Sequence, residues 1–205
     1  FDSKADFLLY GMADNSVVDL ARALKEKKSP LDISGLCYLA KTPPENFLSL
    51  PSFEEVSINQ EAFIHMYHLF YQNNDPITAR GLAQQKGDRW LVQNPPPRFL
   101  DQAQMDKVYS LDFEHDQHPY YEKQGEVKAL ETIRFAVPTH RGCYGECNFC
   151  AIAVHEGRTV SSRSDTSILA EIETLTHHPK FKGVITDLSG PTANMYAVEC
   201  VKKIH

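Results

Sequence analysis

Three cysteines fall within eight positions, in the run His140-Arg141-Gly142-Cys143-Tyr144-Gly145-Glu146-Cys147-Asn148-Phe149-Cys150. Three thiols at C-x3-C-x2-C cannot all pair with one another, so the surrounding chain must keep them reduced or give them a shared partner. Soft thiolates this close together suit a soft metal: zinc, Cu(I) or an iron–sulfur cluster. Gly142 and Gly145 let the backbone wrap tightly, and Arg141 alongside favours the thiolate form. The count of three is informative. A closed structural site wants four ligands, and a cluster that only carries electrons usually recruits a fourth cysteine. A four-iron cubane held by three thiolates leaves one iron open to a small chelating molecule. Cys37 and Cys200 lie far from the run and read as ordinary buried thiols. The competing reading is a Cys3His zinc site completed by His140 or His155, in an interaction module without catalysis.

The rest of the chain sets bounds. With 205 residues, 42% hydrophobic and 23% charged, it has the composition of an average soluble protein of one or two domains. A net charge of -6 gives no support to nucleic-acid binding. No apolar run approaches the roughly 20 residues of a spanning helix. Nothing signals secretion, so a cytoplasmic setting with reduced thiols is expected.

Short apolar runs alternate with helical patterns. Residues 6–11 read as a strand and 33–39 as another. Between them Val17, Val18, Leu20, Ala21 and Leu24 recur at helical spacing, with Asp14-Asn15-Ser16 as candidate caps. This predicts a β-α-β unit of a parallel sheet. Residues 59–72 form a helix whose stripe of Ala62, Phe63, Met66, Tyr67, Phe70 and Tyr71 is expected in the core. A strand at 89–93 runs into Asn94-Pro95-Pro96-Pro97, which must be extended and reads as a stiff crossing or linker. Residues 101–110 form another helix. The polar stretch 112–126 marks a composition change, so the domain division is placed at 1–125 and 126–205. His115 and His118 within it read as solvated loop residues. Beyond it come a strand at 132–138 and a long loop, 139–164, carrying the cysteines. A helix at 165–177 follows, buried through Ile168, Leu169, Ile172 and Leu175, then a strand at 183–188 and a turn at Ser189-Gly190-Pro191. A further helix is expected after Asn194. This β-loop-α-β-α order suits the start of a (β/α) barrel, and the cysteines sit just after a strand, where such folds build active sites.

The three-cysteine spacing, with the aromatic Phe149 before its last member, is similar to the cluster motif of the radical S-adenosylmethionine (SAM) superfamily. Four longer segments resemble the YgiQ family of radical SAM proteins: Asn94-Pro95-Pro96-Pro97, Thr139-His140-Arg141-Gly142-Cys143, Ser161-Ser162-Arg163-Ser164, and the run from Gly183 to Tyr196. The resemblance implies that Cys143, Cys147 and Cys150 each ligate one iron of a [4Fe–4S] cluster, and that the fourth iron chelates SAM. It implies reductive cleavage of SAM to methionine and a 5′-deoxyadenosyl radical, which abstracts hydrogen from a substrate the sequence does not name. An electron donor such as flavodoxin or ferredoxin is implied with it. Phe149 would place backbone groups by the adenine. Ser189 and Gly190 would offer backbone carbonyls to the SAM amino group, at a turn where the superfamily carries Gly-Gly-Glu. Arg163 either meets a carboxylate or is solvated.

The fold the resemblance implies is the end of a flavodoxin-like or Rossmann-like domain followed by the first βα units of a TIM-type barrel. No D-x-H-x-x-G pattern is present, so no cobalamin is expected. About 55 residues follow Cys150, against roughly 250 in a full barrel. The chain therefore reads as part of a longer enzyme, expected to lack turnover alone.

Overall fold

The computed structural model describes residues 1–198. Its contacts divide the chain into two units, one of Phe1–Phe99 with Asn148–Arg158, the other of Leu100–Cys147 with the residues from Thr159 onward.

The first unit is built on a five-stranded sheet. In chain order its elements are β1 (Phe7–Leu9), α1 (Asp14–Lys25), β2 (Leu36–Ala40), β3 (Leu48–Leu50), α2 (Phe53–Ile58), α3 (Gln60–Gln72), β4 (Leu82–Lys86) and β5 (Arg89–Gln93). The strands lie in the order β1-β2-β5-β4-β3. Leu36, Leu82, Ala83 and Val92 are buried in its centre. The β4–β5 hairpin closes on Gly87-Asp88, a two-residue connection between the paired Lys86 and Arg89. The expected parallel β-α-β unit is not formed. β1 and β2 pair antiparallel, Phe7 opposite Tyr38, and the parallel pair in this sheet is β3 with β4. The reason lies in α1. Asp14 is not its cap; Ala13 is, without a side-chain bond. Ser16 is buried instead and donates to the Ser34 carbonyl at 2.8 Å. Val17, Val18 and Leu24 stay about half exposed, so the helix does not cover a sheet face as a parallel crossover would.

The triple-proline segment is not a linker. The Asn94 side chain is buried and donates to the carbonyls of Leu31 and Ile33, both at 2.7 Å. The Pro95 carbonyl accepts from Gly35 N at 2.7 Å, and the Tyr10 hydroxyl donates to the Asn94 carbonyl. With no proline N–H to offer, the segment uses carbonyls and one amide side chain to extend the sheet's pairing past β5.

α3 keeps its predicted bounds but buries less than expected. Ala62 is inside, Met66, Phe70 and Tyr71 are half-buried, and Phe63 and Tyr67 are about half exposed. Met66 and Phe70 face Leu50, Leu82 and Leu91 across a pocket of about 160 Å³.

The second unit continues with α4 (Gln102–Tyr109), a 3-10 helix at Pro119–Gln124, α5 (Leu130–Ile133), β6 (Ala136–Pro138) and β7 (His140–Arg141). The chain then contributes α6 (Ile152–His155) to the first unit. It returns through β8 (Ser161–Ser162), α7 (Asp165–Thr176) and β9 (Asp187–Ser189). β6 and β9 are parallel with α7 between them, Val137 opposite Leu188. Of the predicted strand at 132–138, residues 136–138 form β6 while Thr132 and Ile133 close α5, and the one at 183–188 begins only at Asp187. Phe135, Val137, Ile168 and Leu175 form the core, with Ile172, Phe181, Ile185 and Tyr196 packed on it. Leu169, expected in that face, is 64% exposed. Ser164 caps α7 by accepting from Ser167 N at 3.1 Å. The helix expected after Asn194 does not begin by Val198, and the rest of it, with Cys200, lies outside the described residues. Among the described residues no helix is long and apolar enough to cross a membrane.

Candidate metal centre

The cysteine loop leaves from the end of β6 and is tied at its neck. Arg163 N donates to the Thr139 carbonyl at 3.0 Å. His140 then pairs with Ser162 and Arg141 with Ser161, antiparallel. Gly142 comes next, at φ +89°, where a Cβ would overlap the Thr159 carbonyl. Only glycine fits there, for conformation and for space. The neck is secured by Arg163, which is fully buried. Its guanidinium donates to the Pro138 carbonyl at 2.8 Å, to Glu171 at 2.5 Å, and to the hydroxyl and carbonyl of Ser167. The guanidinium lies 4.1 Å from the centre of the Tyr109 ring. Of its two expected fates Arg163 takes the carboxylate. It joins the end of β6 to α7 and fixes where the loop begins.

Cys143 is buried, and its sulfur accepts from Gly145 N and from the Thr192 hydroxyl, each at 3.3 Å. Cys147 is exposed, its sulfur 3.9 Å from the Gly145 carbonyl. Cys143 and Cys147 flank the same glycine, whose Cβ, if present, would lie 3.3 Å and 3.7 Å from their sulfurs. Cys150, half-buried, and Phe149 belong to the segment counted with the first unit. Phe149 is 93% exposed. Among the described residues no three His, Cys, Asp or Glu side chains are gathered to hold a metal ion. The donor chemistry nonetheless fits an iron–sulfur cluster: three thiols, one sulfur already held by an N–H and an O–H donor, the partners ligating sulfurs take.

Ser189 and Gly190 stand at the end of β9. The Ser189 carbonyl accepts from Thr139 N at 2.8 Å, which extends the β6–β9 pairing by one step. The single proton of the Ser189 hydroxyl is shared between the Asp187 carboxylate at 2.8 Å and the Gly190 carbonyl at 3.2 Å. Gly190 abuts the imidazole of His140 so closely that a Cβ would overlap the ring at its Nε2 edge. His140 is buried, with Nδ1 2.8 Å from the Thr139 hydroxyl.

Residues 1–136 match the family described as Radical SAM N-terminal. The chain belongs to the radical SAM N-terminal family. The matched residues end before Cys143, so the family rests on the first part of the chain and the cysteine loop rests on its own residues. A UPF0313 protein of Fusobacterium nucleatum is 54% identical over 204 residues, covering 100% of this chain and 36% of that protein. UPF0313 proteins of Thermotoga neapolitana and Clostridium botulinum are 41% and 39% identical, each over 97% of this chain and over 36% and 32% of their own length. The chain therefore spans about a third of the relatives it matches. No solved structure matches it.

Sequence reasoning missed Thr192, a threonine 49 positions from the cysteine it touches. It falls inside the Gly183–Tyr196 run that carries the resemblance, but nothing in that run marks its contact with Cys143. Of the zinc candidates, His140 is committed to Thr139 and Gly190, and His155 is an exposed residue of α6.

Proposed function

We propose that this chain carries the cluster-binding segment of a radical SAM enzyme. In this reading Cys143, Cys147 and Cys150 each ligate one iron of a [4Fe–4S] cluster and the fourth iron is left for SAM. When bound, the cluster supplies one electron for cleavage of SAM to methionine and a 5′-deoxyadenosyl radical, which takes hydrogen from a substrate. The observation that carries the reading is the tied loop itself: C-x3-C-x2-C mounted at the end of β6, beside β9, with the Cys143 sulfur held between two donors. Thiolates repel one another, so closure of such a loop on all three sulfurs is coupled to metal binding.

The chain's own residues then have distinct tasks. The β7–β8 neck and Arg163 hold the loop's start. The Ser189-Gly190 turn, seated on His140, offers carbonyl lone pairs to the SAM amino group, each carbonyl keeping one lone pair beyond the bond it already accepts. Phe149 is the aromatic whose backbone lies by the adenine. β6, α7 and β9 are the opening of a barrel, in a domain starting near residue 126, and a flavodoxin or ferredoxin delivers the electron in the cytoplasm. A zinc site completed by His140 is disfavoured, because a metal there would have to take the place of Thr139 or Gly190.

The test uses the full-length protein, reconstituted anaerobically. About four irons per chain, a broad visible band, and a spectral change on adding SAM are expected. Loss of the cluster in Cys147→Ala supports the assignment; a variant that keeps both the cluster and SAM cleavage ends it.

A further inference from the structure

We propose that Thr192 tunes the cluster through Cys143: its hydroxyl donates to the ligating sulfur and raises the cluster's reduction potential. This rests on the cluster assignment above and names a residue that acts on it.

The geometry singles out one sulfur of the motif. Cys143 is 5% exposed, and its sulfur receives the Thr192 hydroxyl and the Gly145 N–H at 3.3 Å each. Cys147, at the other side of Gly145, is exposed and has only the glycine carbonyl near it among the contacts described. Thr192 does not reach Cys143 by accident of a loose tail. It stands two residues past Gly190, in a turn set by three contacts: β9 beside β6, the Ser189 carbonyl on Thr139 N, and Gly190 against His140. The same contacts place the turn that offers carbonyls to SAM. One short segment therefore addresses both the cofactor and the first cysteine.

The chemistry follows from charge. On reduction one electron arrives from a low-potential one-electron donor. No bond to Cys143 forms or breaks, and no proton moves. Negative charge on the sulfur ligands grows, so a donor to sulfur stabilises the reduced state more than the oxidised one. Such neighbours of a ligand tune a metal site without touching the metal. Thr192 itself is solvent-exposed, so exchanging its hydroxyl for a methyl removes the donor without opening a core.

The test compares wild type, Thr192→Val and Thr192→Ser in the full-length, reconstituted protein, by dithionite titration followed by electron paramagnetic resonance. All three are expected to hold about four irons per chain and the same far-ultraviolet circular dichroism. Thr192→Val should lower the equilibrium constant for one-electron reduction three- to tenfold, about 28–59 mV more negative, and Thr192→Ser should stay within twofold of wild type. Equal potentials for wild type and Thr192→Val, with the cluster intact in both, overturn the proposal. A wild-type protein that takes up no four-iron cluster overturns the underlying assignment instead. If the valine variant does not load, Thr192→Ala is compared with Thr192→Ser, and equal potentials for that pair overturn the proposal in the same way.

Discussion

The imidazole of His140 fills the space that a Cβ on Gly190 would need. The contact joins the residue that opens the cysteine loop to the turn after β9. Gly190→Ala is expected to lose about 1–3 kcal/mol, the usual cost of overpacking a filled site. Much of that loss should return when His140→Ala is added, because the two changes share one contact. Urea unfolding of the two single variants and the double variant measures the coupling. Strict additivity would contradict the packing.

Gly142 and Gly87 both have positive φ, +89° and +60°, but differ in their surroundings. Gly87 faces open space; Gly142 faces the Thr159 carbonyl. Gly87→Ala should cost about 1 kcal/mol for conformation alone. Gly142→Ala should cost about 3 kcal/mol, since overlap adds to strain. It should also expose the loop at 142–160 to limited proteolysis. Equal effects of the two substitutions would show that the neck is not closed as described.

Arg163 and Glu171 form a buried pair, 0% and 9% exposed at the side chain. Glu171→Ala should destabilise the protein by about 3–5 kcal/mol, because it strands a desolvated charge. Arg163→Lys should not substitute, as an ammonium cannot match the guanidinium's forked bonds to Pro138, Glu171 and Ser167. The double change Arg163→Met with Glu171→Leu should cost clearly less than the sum of its parts, read by thermal unfolding.

Asp116 accepts from Lys180 at 2.7 Å and, through its other oxygen, from Arg134 at 2.8 Å. The Lys180 ammonium first, then the Gln117 N–H and Arg134, hold its carboxyl well below the usual carboxylate range. A folded-state pKa below the unfolded one stabilises the fold at every pH above the unfolded value, about 3.9. That contribution is lost as pH falls from there through the folded value. The stability difference between wild type and Asp116→Asn should therefore be flat above about pH 5 and shrink below about pH 4. A difference that grew on acidification would have the wrong sign.

Cys37 is buried between β1 and β5, and burial pushes its thiol up to about 11. At pH 8 only about a thousandth of it is thiolate. In metal-free native protein Cys147, which is exposed, should react first with iodoacetamide and Cys37 last, by timed peptide mass spectrometry. Denaturant should abolish the order.

Much of the local structure was legible because it depends on neighbours in sequence. α3, α4, α7 and β5 fall within a residue or so of their expected bounds, since periodicity and caps such as Asn59, Asp101 and Ser164 are local signals. The β6-α7-β9 unit was legible for the same reason. What failed was long-range. The apolar runs at 6–11 and 33–39 look alike whether their strands run parallel or antiparallel. The choice was made by Ser16 on Ser34 and by Asn94 on Leu31 and Ile33, contacts that span 18 to 63 positions. The strand expected at 132–138 forms only in its second half, as β6; Thr132 and Ile133 close α5, whose following Arg134 turns back to Asp116 and the His115 carbonyl.

The candidate site divides in the same way. The sequence alone determined the thiols and their spacing, because donor type and chain distance are properties of residues. It also determined the glycines, which state where a backbone must turn or be approached. Only the tertiary structure decided what stands around them. It placed Arg163 on a carboxylate rather than in water, set His140 under Gly190, and brought Thr192 to the sulfur of Cys143. Hydrogen bonds and packing of this kind act over a few ångströms in space, and separation along the chain does not encode them.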